Sequence, residues 1–267
     1  MAWPMQSSVA GDDRVTLLDL PPAEAGHAAA VLCDGMGGHI GGAMASRTAS
    51  EAFLAALMTA EGPLRHRLMH ALDSANTALT EQVKRSPVYN GMGSTLVGVA
   101  LSADGLQWVS VGDSLLYLWR QGEIIMLNED HSLAPEIDKL AETGKISWAA
   151  ARSDPRRHYL RSALTGDDIE MIDLSEQAAP LEAGDVIMLA SDGVNTLEPE
   201  TIASIISDRA AEGASAIAKR LIGSVDAIRA PHQDNTTIII VRVVTAVVPD
   251  VAPSGAAAAD AGGSDNV

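Results

Sequence analysis

Between residues 94 and 127 four short apolar segments follow one another: Ser94–Leu101, Gln107–Val111, Leu115–Arg120 and Ile124–Leu127. Only "SADG", "GDS" and "QGE" punctuate them. Such links are hairpin-length and cannot hold the crossover that parallel strands need, so this stretch predicts antiparallel sheet. Helical periodicity lies on both sides. Gly42–Glu61 places Ala45, Ala49, Ala52, Phe53, Ala56 and Leu57 on one face, and Pro63–Arg85 does likewise with Leu64, Leu68, Leu72, Ala75 and Leu79. A strand is expected at His27–Asp34 before these helices. Another at Asp185–Ala190 precedes helix-like stretches at Glu198–Ala210 and Ala214–Ile228 and a long β run at Thr236–Val248. This order predicts an α+β fold with helical layers around antiparallel sheets. From about 132 to 165 the pattern loosens and arginines interleave, as in a surface flap. Residues 249–267 are Ala, Gly, Asp, Pro and Ser, the composition of a disordered tail, which leaves one domain over 1–248.

Composition narrows the partners. Only 3 % of the 267 residues are aromatic against 47 % hydrophobic, so the core must be aliphatic. A formal charge of −17 argues against nucleic acid, whose binding draws on Lys and Arg. No apolar run approaches the ~20 residues that span a bilayer, and "MAWPMQSSVAGDD" does not read as a signal peptide. The single cysteine, Cys33, cannot form an internal disulfide and reads as a small core residue. A cytoplasmic protein is expected, and a monomer.

Several aspartates stand where apolar runs stop or start. Asp34 follows "AVLC", Asp113 follows "WVSVG", Asp192 follows "VIMLAS", Asp234 precedes "NTTIIIV", and Asp13 lies in "GDDRVTLL". Carboxylates converging on a sheet rim would repel one another and raise one another's pKa. A hard dication removes that conflict, because Mg2+ and Mn2+ favour carboxylate, carbonyl and water ligands. Glycine after Asp34 and after Asp192 suggests a turn kept bare so that metal, water or substrate can sit beside the carboxylate. Each site alone also reads as an ordinary Asp-Gly turn, and spacing alone leaves the two readings balanced.

The ordered segments "DGMGGHIGGAMAS", "GMGSTLVGVAL", "VSVGDSLLYLWRQGEIIMLNEDHSL", "GDVIMLASDGV" and "QDNTTIIIVRV" together resemble the metal-dependent protein serine/threonine phosphatases of the 2C (PPM) family, bacterial type. The resemblance covers roughly residues 11–243. It implies a four-layer α-β-β-α sandwich, two central antiparallel sheets flanked by helix pairs. It also implies two catalytic Mg2+ or Mn2+ ions with a third held more loosely. By position, Asp34 resembles the aspartate bridging the two ions and Gly35 a carbonyl donor. Asp192, Asp234 and Asp13 look like further ligands, and Asp113 resembles the ligand of the third ion. The implied chemistry is attack by a metal-bridged water, in line, on phosphoserine or phosphothreonine of a protein substrate, the product of a Ser/Thr kinase. Asp34, Asp192 and Asp234 then supply positioning and charge compensation.

The chain departs from the family pattern in two places. Ser8 stands where the family carries a phosphate-clamping arginine, so Arg14 or a flap arginine (Arg156, Arg157, Arg161) is expected to substitute. Met36 stands where eukaryotic members carry a histidine proposed as general acid. His39 is a candidate to meet the substrate, although a loop role suits it as well. His131 of "DHSL" reads as structural, and Ser94 and Thr95 receive no catalytic role. A dinucleotide site is excluded because Ile40 occupies the third glycine position of G-x-G-x-x-G, and no G-x4-G-K-[ST] loop occurs. The remaining rival is a member that binds phosphoproteins without hydrolysing them.

Overall fold

The computed structural model describes residues 28–244 except His232, and for His39 the backbone alone. The chain opens with β1 (Ala28–Leu32) and the two-residue β2 (Gly35–Met36), followed by α1 (Gly38–Thr59) and α2 (Leu64–Arg85). Then come β3 (Gly93–Ser94), β4 (Leu96–Ser102), β5 (Gly105–Val111), β6 (Leu115–Arg120) and β7 (Glu123–Met126). The flap carries α3 (Ala134–Glu142), α4 (Trp148–Ser153) and a 3-10 turn at Pro155–His158. After β8 (Asp173–Leu174) and β9 (Val186–Ala190) the chain forms α5 (Pro199–Arg209), α6 (Ala214–Ile228) and β10 (Ile238–Arg242).

Two four-stranded antiparallel sheets form, ordered β1-β4-β5-β8 and β10-β9-β6-β7. The segments that read as one meander are therefore divided. β4 pairs with β5 and β6 with β7, but β5 and β6 lie in different sheets. The link between them, Gly112–Ser114, crosses from one sheet to the other. Gly112 adopts φ +102°, and a Cβ there would lie 2.7 Å from Thr95 Cγ2, so only glycine makes the crossing. The run expected at Thr236–Val248 gives a strand of five residues, within the portion described.

Alternation along the strands builds three cores. In β6, Leu116 and Leu118 face the other sheet, joining Leu32, Val97, Val99, Leu106, Ile187 and Leu189. Leu115, Tyr117 and Trp119 point the opposite way, onto Ile202, Ile206, Ile217, Leu221 and Val225 of α5 and α6. Leu96, Ala100, Val109 and Val111 meet Phe53, Leu68, Leu72 and Leu79 of α1 and α2. Strands covered on both faces must be apolar at every position, which explains the unbroken runs in the sequence. Gly98 shares the helix-facing side of β4, and a Cβ there would stand 2.2 Å from the Phe53 ring. The chain's one phenylalanine thus fills the space that a strand side chain would take.

The flap has its own small core of Ile137, Ala141 and Ala151. Ser147 Oγ caps α4 by accepting from Ala150 N–H at 3.1 Å.

Candidate metal centre

Strand register gathers the candidate residues at one edge. Leu32 pairs with Val97 and Leu96 with Val111, while Leu115 and Ile238 both pair with Ala190. The residues just beyond these pairs are Asp34, Thr95, Asp113, Asp192 and the 234–237 segment. All leave the sheets on the same side. Sequence distance is removed by pairing, and the carboxylates converge on a rim.

Polar side chains saturate the backbone around Asp34. Thr95 N–H donates to Asp34 O at 2.8 Å, and Asp34 N–H donates to Thr95 Oγ1 at 3.0 Å. The Ser94 hydroxyl also donates to Asp34 O, at 3.0 Å. The Thr95 and Ser114 hydroxyls then hydrogen-bond each other at 2.7 Å, tying Asp34 to the Asp113 turn. That turn is held from behind. Asn128 Nδ2 donates to Ser114 O at 2.8 Å, His131 N–H donates to Gly112 O at 3.0 Å, and Gly112 N–H donates to His131 Nδ1 at 3.3 Å. Ser94, Thr95 and His131 therefore act as positioning residues, as a structural reading of "GST" and "DHS" allows.

The glycines after the aspartates have a packing reason beside the one expected. A Cβ on Gly35 would lie 1.9 Å from Gly42 O, and one on Gly42 would lie 2.4 Å from Gly35 O. Their bareness lets α1 dock backbone-to-backbone beside Asp34. Gly193 does the same for the second half of the site, since its Cβ would meet Asn235 O and Thr236 Oγ1 at 2.5 Å. Ser191 Oγ donates to Asn235 O at 3.2 Å and accepts from Thr237 N–H at 3.0 Å, closing that contact. Asp192 and Asp234 are brought together by this glycine.

The carboxylates feel one another. Burial, then the charges of Asp192 and Asp234, push Asp34 up to about 6. Burial and the charges of Asp192, Asp130 and Asp34 push Asp113 up to about 7. Asp192 is raised by burial and by Asp234, against an opposing pull from His158. Asp192 Oδ1 is buried with no hydrogen-bond partner among the described residues. A lone carboxylate oxygen out of water is costly unless a cation meets it. Among the described residues no three His, Cys, Asp or Glu side chains make a closed metal cage. Mg2+ needs none, because it binds through one or two carboxylates and keeps most of its waters. An all-oxygen donor set with an orphaned, buried oxygen fits such an ion. Burial pushes the Cys33 thiol far up, away from any nucleophilic role.

A family model described as protein phosphatase 2C matches residues 11–221. The chain belongs to that family. The serine/threonine protein phosphatase PstP of Mycobacterium tuberculosis is 34 % identical over 215 residues, 80 % of this chain and 40 % of the relative. The chain thus spans less than half the length of that curated relative. A crystal structure of the same mycobacterial phosphatase superposes with TM-score 0.68 at 31 % identity, covering 85 % of this chain and 95 % of that one. The catalytic domain of a serine/threonine protein phosphatase PstP, crystallised with two manganese ions, gives TM-score 0.66 at 29 % identity over 85 % of this chain and 94 % of that one. The mixed helix-and-sheet architecture is that of the phosphatase 2C family, as the resemblance implied.

Within this family member, the match to the 2C model ends before Asp234, which the β9–β10 pairing nonetheless carries to the same rim. Asp13 and Arg14 lie outside the described residues, as does the His39 side chain; its backbone falls in the first turn of α1. The flap arginines named as substitutes for the phosphate clamp are paired within the flap. Arg156 pairs with Asp154 at 2.6 Å, Arg157 Nη2 donates to Asp138 Oδ2 at 3.0 Å, and Arg161 pairs with Glu136 at 3.0 Å. Each neutralises a carboxylate of the flap itself. Sequence reasoning missed two groups whose charges act on the site, Asp130 and His158. Asp130 stands just past β7, so the strand-end rule that found Asp113 would also have found it. His158 carries no such signal in the sequence.

Proposed function

We propose that this phosphatase 2C family member hydrolyses phosphoserine and phosphothreonine in protein substrates. The observation that carries the reading is the meeting of three carboxylates: burial and the charges of Asp192 and Asp234 raise Asp34, burial and the charge of Asp234 raise Asp192, and Asp192 Oδ1 stays buried without a partner among the described residues. Asp34 and the Gly35 carbonyl would hold the ions, with Asp192, Asp234 and Asp13 completing the set. Asp113, with the charge of Asp130 nearby, would hold a third ion more loosely. A bound pair of Mg2+ or Mn2+ ions supplies an activated water and neutralises charge on the phosphoryl oxygens. The protein's own share is placement. Thr95, Ser94 and Ser114 fix the Asp34 and Asp113 turns, Gly193 fixes Asp192 against Asp234, and no side-chain nucleophile is needed. Arg14 and His39 are assigned to the substrate phosphate. The substrate is a kinase product met in the cytoplasm by a monomer; no helix of the described residues is long and apolar enough to cross a membrane.

Release of phosphate from an aryl phosphate and from a phosphothreonine peptide, with and without Mn2+, tests this. Asp192→Ala should abolish Mn2+-dependent turnover and remove most of the calorimetric heat of Mn2+ binding. Measurable Mn2+ binding without turnover would replace the enzyme with a phosphoprotein-binding module.

A further inference from the structure

We propose that Asn76 and Thr80 of the outer helix α2 are positioning residues for the ion-binding turns, acting through segment 160–167 where the chain returns from the flap. The inference rests on the metal reading above. The two side chains stand one turn apart on α2. Among the described residues, all their side-chain hydrogen bonds run to the returning segment. Asn76 Oδ1 accepts from Gly166 N–H at 2.8 Å, and Asn76 Nδ2 donates to Asp167 O at 2.7 Å. Thr80 Oγ1 donates to Gly166 O at 2.7 Å. Both backbone groups of Gly166 are therefore held. Gly166 adopts φ +89°, and a Cβ there would lie 2.5 Å from Thr80 Oγ1, so only glycine admits the grip.

Two residues before the grip, the segment meets the Asp34 turn. Leu164 is buried in the same core as Leu72 and Leu79 of α2. Ser94 N–H donates to Leu164 O at 2.9 Å, and Leu164 N–H donates to Ser94 O at 2.8 Å. Ser94 pairs on its other side with Gly35, and its hydroxyl donates to Asp34 O. Leu164 is thus a third rung on the short β2–β3 ladder. Further back, Leu160 bridges to Ser132 and Arg161 N–H donates to His131 O at 2.8 Å. His131 N–H donates in turn to Gly112 O, beside Asp113. One segment therefore reaches both turns, that of Asp34 through Ser94 and that of Asp113 through His131. A ladder of two-residue strands containing glycine specifies its own register weakly. The hold of α2 on Gly166 supplies what the ladder lacks, fixing Leu164 against Ser94 and hence Ser94 against Asp34.

The test uses the full chain. Asn76→Asp keeps shape and acceptor but turns a carboxylate oxygen toward Asp167 O, and Thr80→Val keeps shape without the hydroxyl. Each should weaken Mn2+ binding, read by calorimetry, about threefold to tenfold, the loss expected for one hydrogen bond. Each should also speed hydrogen exchange at the Ser94, Thr95 and Leu164 amides relative to those of β9. Thr80→Ser retains the hydroxyl and should leave both readings as in the wild type. Ala78→Gly loosens the same helix without a bond to the segment, so it should lower Tm and spare Mn2+ affinity. Identical behaviour of Thr80→Val and Thr80→Ser would overturn the inference. So would an equal loss of Mn2+ affinity in Ala78→Gly, which would reduce Asn76 and Thr80 to supports of the fold. If the wild-type protein binds no Mn2+, the metal reading fails, and exchange at the three amides still decides whether α2 sets these turns.

Discussion

Asp34 and Asp113 are held with carboxyl pKa values of about 6 and about 7, above the ordinary range, so ionising them opposes folding. That cost is absent below the unfolded value of roughly 4 and fully present once pH passes about 7. A divalent cation removes it only where the carboxylates are charged. Mn2+ should therefore raise Tm markedly at pH near 7.5 and little near pH 5, with a gain of roughly 5–10 °C at about one hundred times its Kd. Equal shifts at both pH values, read by thermal unfolding, would disconnect these groups from the metal. Thr95 gives a second test at this scale. Thr95→Val keeps the shape but leaves Asp34 N–H and Ser114 Oγ without their shared partner. It should cost about 1–3 kcal/mol in denaturant unfolding and weaken Mn2+ binding, since the turn that aims Asp34 is loosened.

At the scale of elements, the site depends on how closely helix and strand backbones approach. α1 meets β2 through Gly42 and Gly35 with no room for a methyl group on either. Gly42→Ala would place its Cβ against a backbone oxygen, which cannot rotate away. The predicted result is destabilisation of about 1–3 kcal/mol together with a loss of Mn2+ affinity, because the displaced strand β2 directly follows Asp34. The contrasting variant is Gly98→Ala, which clashes with the Phe53 ring in the helix-facing core. It should cost a similar amount of stability but spare Mn2+ affinity, since Phe53 lies among the core residues behind β4. Comparable metal losses in both variants would show that the site responds to global loosening. Asp185 shows the same division on the opposite edge. It is 1 % exposed and accepts two hydrogen bonds from Arg120, at 2.8 and 2.7 Å. Asp185→Ala should destabilise by about 3 kcal/mol or more, as loss of a buried partner does, without touching metal binding.

For the whole molecule, a formal charge of −17 adds self-repulsion to the folded state. Raising monovalent salt from about 0.05 to 0.3 M should raise the metal-free Tm, because screening lengths shorten across that range. A fall in Tm would mean that surface ion pairs such as Arg47–Glu51 outweigh the repulsion. The amino-acid sequence by itself determined the elements. Unbroken apolar runs can only be strands covered on both faces, and the Ala/Leu periodicities of 45–57 and 64–79 can only be helices turned to a sheet. α6 begins and ends where its periodicity does. It also marked Asp34, Asp113, Asp192 and Asp234, because a charge at the end of an apolar run is visible locally. Tertiary structure alone decided that β5 and β6 part company, that glycines 35 and 193 serve backbone docking, and that Arg156, Arg157 and Arg161 pair with carboxylates of the flap itself. Those outcomes depend on which surfaces meet across tens of residues. Local pattern records what each segment must bury, but not which segment will cover it.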